Sequence, residues 1–235
     1  MLYLIGLGLN VNGISKEGLE IVKRCKKVYL EGYTVDFPYS VSELVEVLGK
    51  EVEVLSRKDV EGLRIVDEAR KKDVCLLVYG SPLSATTHVS LIDEAGKSDV
   101  KVKVIYAASI FDAIAETGLQ LYKFGKIASM PKWEKSFSPT SFVDVVKENQ
   151  SIKAHSLILI DIGLDFQEAL EQLEKSCEEQ KFKLGKIVVC QRLGTRKSSI
   201  LYDGLDNLKE VFVKKPYCII VPSKLHFVEK EFLEL

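Results

Sequence analysis

The chain has 235 residues, of which 46% are hydrophobic and 29% charged, the balance of an ordinary globular protein able to bury a sizeable core as one large domain or two small ones. Lysine and arginine number 33 against 34 aspartates and glutamates, so no overall charge draws it to nucleic acid or to a membrane surface. Five cysteines without a CxxC pair exclude a disulfide framework or a cysteine zinc site, and their apolar surroundings read as buried thiols in a reducing, cytosolic setting.

Leu2–Ile5 reads as a first strand ending in Gly6-Leu7-Gly8-Leu9; Met1–Leu9 lacks the basic n-region of a signal peptide, and no apolar run approaches the ~20 residues of a membrane span. Ser15 is placed to cap a helix over Lys16–Cys25. The GxG turn invites a dinucleotide reading, and Glu31, after the strand Lys27–Leu30, stands where a ribose-binding acid is expected. Val11 occupies the position of the third glycine, however, so the turn is better read as admitting some other ligand to the backbone. Ser42–Leu48 has helical character and Glu51–Leu55 that of a strand, and Leu63, Val66 and Ala69 set the phase of a helix over Val60–Lys72.

Val74–Val78 is a continuous apolar run, stopped by Gly80 and Pro82. Ser81, Ser84, Thr86 and Thr87 supply small hydroxyls before a helix expected over Ala85–Lys97, either as a capping turn or as a ligand loop. Another strand, Val102–Tyr106, leads through Ala107-Ala108-Ser109-Ile110 into a helix over Phe111–Thr117. Three strands thus finish in small residues before a helix, and their repetition favours a shared ligand crevice over three unrelated turns.

Gly118–Gly125 has the look of a boundary, with Pro131, Trp133 and Pro139 soon after. The second half restarts with a helix over Ser138–Glu148, a strand over His155–Ile162 and a helix over Phe166–Gln180. The strand Ile187–Cys190, the polar loop Leu193–Ser199, the strand Tyr217–Val221 and a closing helix from Leu225 complete it. Of the three histidines, His155 is expected at the surface, His88 near the central loop, and His226 where the chain could return to the crevice. No metal-ligand spacing and no GxSxG elbow is present.

Taken together, Leu2–Leu9 (LYLIGLGL), Tyr29–Thr34 (YLEGYT), Gly80–His88 (GSPLSATTH), Ala108–Ile110 (ASI), Thr117–Gly125 (TGLQLYKFG) and Val221–Glu229 (VPSKLHFVE) resemble the diphthine synthases, in content and in order. Most other members of the wider tetrapyrrole-methylase fold group share only the first glycine turn and the central loop. The resemblance implies two α/β domains, here residues 1–112 and 113–235, with the cofactor in the cleft between them, and commonly a homodimer. It implies S-adenosylmethionine as cofactor, S-adenosylhomocysteine as its product, and methylation of the amino group of a modified histidine on translation elongation factor 2. Carried over by motif, the cofactor contacts are Leu9, Ser81, Ser84, Ser109, Ile110, Ile160, Leu201 and His226. No catalytic residue and no metal is assigned.

The chain departs from the family at three points. Ser81 replaces the aspartate of a Gly-Asp-Pro loop, Asn10-Val11-Asn12 replaces Gly-Asp after the first turn, and Ala107 replaces an asparagine. Losing one charged hydrogen bond costs ~1.5–3 kcal/mol. A non-catalytic or weakened member that keeps the fold therefore stands as an alternative, as does a tetrapyrrole methyltransferase, against which the TGLQLYKFG segment argues.

Overall fold

A computed structural model describes residues 1–62 and 64–234, and the chain divides into two compact units, Met1–Phe111 and Asp112–Leu235. In the first unit, strands β1 (Leu2–Gly6), β2 (Lys27–Glu31), β3 (Glu53–Leu55), β4 (Val74–Val78) and β5 (Val102–Ile105) form a wholly parallel sheet in the order β3-β2-β4-β1-β5. The apolar runs are continuous because both faces are covered. Leu2, Leu4, Val74 and Leu76 face one core, and Tyr3, Ile5, Cys75 and Leu77 the other.

The intervening helices follow their caps. Ser15 accepts from the Gly18 amide at 3.0 Å and starts α1 (Lys16–Arg24), while Ser40 and Glu43 form a capping box for α2 (Val41–Leu48). The single helix expected over Val60–Lys72 is instead two, α3 (Arg57–Glu61), boxed by Ser56 and Asp59, and α4 (Arg64–Ala69). Leu63, part of that expected helical phase, lies outside the described residues. Helix α5 spans Val89–Lys97 and starts four residues later than expected, because Ala85 takes a left-handed backbone (φ 55°) that interrupts any helix there. Past β5 the chain enters α6 (Ile110–Ala113) and a 3-10 turn, Ile114–Thr117.

The second unit holds a five-stranded sheet in the order β6-β7-β10-β8-β9: β6 (Ala128–Met130), β7 (Ser156–Ile160), β8 (Ile187–Gln191), β9 (Ser199–Asp203) and β10 (Tyr217–Val221). Only β6 and β7 are parallel. Helices α7 (Ser141–Ser151) and α8 (Phe166–Glu179) build its core with Phe142, Val146, Leu170 and Leu173 against Ile158, Val189 and Ile219. Strands β6 and β9 and the short helix α9 (Leu205–Leu208) were not anticipated from the sequence. The closing helix, α10, spans Phe227–Leu233.

His155 is a correction: it is fully buried, not a surface residue. Its Nδ1 accepts from the Ser223 amide at 2.9 Å, so in the neutral ring the proton sits on Nε2, 3.2 Å from Glu229 Oε1. Glu229, also fully buried, further accepts from the Gln120 amide (3.0 Å), the His226 amide (2.7 Å) and the Lys123 ammonium. One carboxylate thus ties the TGLQLYKFG segment, the start of β7 and the last helix together.

Candidate cofactor site

Neighbouring strands β1 and β4 feed helices that leave on opposite faces: α1 packs in the core around Tyr3 and Ile5, and α5 in the core around Leu2 and Leu4. Between the carboxyl ends of such a pair lies the crevice where open parallel sheets take ligands. Here it is built by Gly6–Leu9 and Tyr79–Ser84, joined by reciprocal hydrogen bonds between Gly8 and Gly80 at 3.0 and 3.1 Å. Both glycines hold left-handed backbones, φ 67° and 69°, which an L side chain rarely adopts. Gly6 is required for another reason: a Cβ there would stand 2.6 Å from the Gly80 carbonyl oxygen and 2.9 Å from the Ala107 Cβ. The third strand end, Ala107–Ser109 after β5, thereby approaches the first two.

The side chains at this edge are small and polar. Ser81 and Ser109 are 7% and 6% exposed, and Ser84 is half-buried. The Ser84 amide donates to the Ser81 carbonyl (3.0 Å), closing a tight turn around Pro82, and Ser109 Oγ accepts from the Phe111 amide (3.3 Å) at the start of α6. Leu9 is buried, and its carbonyl accepts from the Tyr79 hydroxyl at 3.0 Å. Tyr79 packs edge-on against Phe37, which packs edge-on against Tyr39. The Asn10 side chain turns back to accept from the Asn12 amide (3.0 Å), shaping the segment where the family pattern has Gly-Asp.

Leu9, Ser81, Ser84, Ser109 and Ile110 therefore stand on one edge of the first unit, the first four in its loops and Ile110 as the first residue of α6. The other three belong to the second unit. Ile160 ends β7, which is that unit's second strand, since β6 precedes it. Leu201 lies inside β9, and both it and Ile160 are half-buried against the α7 and α8 core. His226 is exposed, caps α10 and accepts from the Val228 amide (3.4 Å). It follows β10, whose end pairs with the beginning of β7, so within this unit His226 and Ile160 lie at opposite edges of the sheet.

Glu31 does not stand ready for a ribose, because its carboxyl is fully buried and accepts from Thr34 Oγ1 at 2.8 Å. Sequence reasoning placed His88 near the loop but not what it holds: its Nδ1 lies 3.0 Å from the Pro82 carbonyl oxygen. All five cysteines are free and buried. Among the described residues no cluster of histidine, cysteine, aspartate or glutamate could hold a metal, and no helix is long and apolar enough to cross a membrane.

Comparison with known proteins adds three findings. Residues 1–209 match the family model of the Tetrapyrrole (Corrin/Porphyrin) Methylases. The chain is 41% identical to a diphthine synthase of Methanocaldococcus jannaschii, over all of this chain and 98% of that one, and 37% identical to one of Methanococcus vannielii over the same shares. A diphthine synthase crystal structure superposes with a TM-score of 0.91 at 36% identity, covering 99% of this chain and 94% of its own.

Proposed function

Because the chain belongs to the diphthine synthases, within the tetrapyrrole methylases, we propose that it methylates the amino group of the modified histidine of translation elongation factor 2, using S-adenosylmethionine. The observation that carries this reading is the glycine-floored crevice at the ends of β1, β4 and β5. Its floor leaves no room for a Cβ at Gly6, and its rim offers backbone groups and serine hydroxyls instead of bulky side chains. Those donors and acceptors suit an uncharged nucleoside and the polar tail of an amino acid.

In this reading Leu9, Ser81, Ser84, Ser109 and Ile110 hold the cofactor on the first unit, while Ile160, Leu201 and His226 are assigned to it on the family resemblance alone. Bound S-adenosylmethionine supplies a methyl group made electrophilic by the adjacent sulfonium. The protein's part is alignment: the serine turn and the glycine floor fix the donor so that an amine meets the methyl in line. The acceptor amine attacks only when neutral, and partial burial at the crevice lowers its pKa toward that form. No dedicated base is then required. The same reading makes the chain a cytoplasmic homodimer. Ser81 favours one second reading, a binding protein that has lost transfer, because a hydroxyl replaces the family's carboxylate.

Calorimetric titration with S-adenosylmethionine tests the site. The native chain is expected to bind one cofactor per chain, and Gly6→Val to lose binding by at least tenfold, with S-adenosylhomocysteine behaving alike. Absence of binding to the native chain, or unchanged affinity in Gly6→Val, overturns the assignment.

A further inference from the structure

Two residues of the central loop that the site assignment leaves unused, Thr86 and His88, converge on one atom beside it. After Gly80 the chain makes a tight turn, closed by the Ser84 amide on the Ser81 carbonyl at 3.0 Å. Pro82 takes the second place in that turn, where its ring fixes φ. What remains free is the swivel of the peptide between Pro82 and Leu83. The oxygen of that peptide is held from two sides. Thr86 Oγ1 donates to it at 2.7 Å, and His88 Nδ1 lies 3.0 Å from it. A backbone carbonyl can only accept, so Nδ1 carries a proton and His88 is the second donor. The two bonds occupy both lone pairs of the Pro82 oxygen, which then has none to offer a ligand.

The hold is made in the interior. His88 is 1% exposed, Pro82 is buried as well, and Thr86 is half-buried. His88 Nε2 is buried without a hydrogen-bond partner, so the Pro82 oxygen is the one polar contact of the imidazole nitrogens. The consequence lies on the opposite side of the peptide. Among the described residues the only cis bond is Lys215–Pro216, so the peptide between Pro82 and Leu83 is trans, and its N–H points away from its C=O. With the oxygen drawn inward to a buried ring, the Leu83 amide faces the other way. It makes no hydrogen bond to any of the described residues.

We infer that Thr86 and His88 are positioning residues for the cofactor: their joint hold on the Pro82 oxygen turns the Leu83 amide outward as a backbone donor to an acceptor atom of S-adenosylmethionine. The inference rests on the reading of the Ser81–Ser84 turn as part of the cofactor site. It adds to the serine hydroxyls a donor whose direction is set by residues further along the loop.

Calorimetry with S-adenosylmethionine, on variants of the full chain matched in shape, tests the hold. Asparagine places an amide N–H where the imidazole Nδ1 stands, and leucine has nearly the same shape without that donor. His88→Leu is expected to weaken binding about tenfold, and His88→Asn to stay within about threefold of the native chain. Thr86→Val and Thr86→Ser should divide in the same way. Both His88 variants lose the packing of the ring, so a merely structural role would lower melting temperature and affinity in both together. Equal affinities within either matched pair, or losses that follow melting temperature instead of the donor, overturn the inference. Amide NMR tests the donor itself: with S-adenosylhomocysteine bound, the Leu83 N–H signal should shift and exchange with solvent about tenfold more slowly. A bound ligand that leaves this signal and its exchange unchanged also overturns the inference. If the native chain binds neither ligand, the site reading fails and takes the inference with it, whereas native binding with equal affinities in the matched pairs defeats the inference alone.

Discussion

Ser81 is the residue at which this chain most clearly tests the logic of its own site. It stands in a tight turn, 7% exposed, where the family pattern carries a carboxylate. Only the methylated cofactor bears a sulfonium, so a carboxylate here favours it over the neutral thioether product by a Coulomb term of about 1 kcal/mol at most. Buried without ligand, the same carboxylate pays desolvation. Ser81→Asp is therefore expected to lower the melting temperature of the free protein and to shift the affinity ratio toward S-adenosylmethionine by up to about fivefold. Calorimetry with both ligands checks it, and an equal gain for S-adenosylhomocysteine, or a relative loss for S-adenosylmethionine, contradicts it. The glycine turns at Gly6–Gly8 and Gly80 were readable in the sequence because left-handed backbone and close approach leave few alternatives to glycine. The Glu31 and His88 environment was not, because burial of a polar side chain depends on strands and helices that meet only in the fold.

Among elements, the uninterrupted apolar strands were the most legible: Val74–Val78 and Tyr217–Val221 fall where a buried strand must. Strand β9 escaped notice because Ser-Ile-Leu-Tyr-Asp is half-buried throughout and sits on the sheet edge, with neither a continuous apolar run nor a clean alternation. Strand β6 is only three residues long, too short for its buried-exposed-buried alternation to stand out. His155 looked exposed because the partner that accounts for its burial, Glu229, lies 74 residues away. That clasp predicts an acid limb in stability. Burial works against the Glu229 carboxylate, but Lys123, the His226 and Gln120 amides and His155 hold its pKa down to about 2. Its contribution is complete above the ordinary 4.5 and is lost as pH falls from there toward 2. Burial also lowers the His155 pKa from the ordinary 6.5, so the unfolded chain takes up that proton first and stability already declines below pH 6.5. Denaturant titrations from pH 7 to 3 should show both declines, with Glu229→Gln removing the lower one and costing ~3–5 kcal/mol at pH 7. A flat profile, or a Glu229→Gln protein as stable as its parent, would contradict the clasp.

For the molecule as a whole, two α/β units were foreseeable from the restart of strand and helix patterns after the TGLQLYKFG segment. Which substrate the protein serves was not, because periodicity and spacing describe a crevice and not what enters it. The specific expectation came from motif order along the entire chain, and the diphthine synthases that match it do so across the whole length. The most direct measurement follows labelled methyl groups from S-adenosylmethionine into translation elongation factor 2 carrying the modified histidine, with factor lacking the modification and a tetrapyrrole as parallel acceptors. The account predicts label on the modified factor alone, abolished by Gly6→Val. Cofactor binding without any transfer to the modified factor, or transfer to the tetrapyrrole instead, would contradict it.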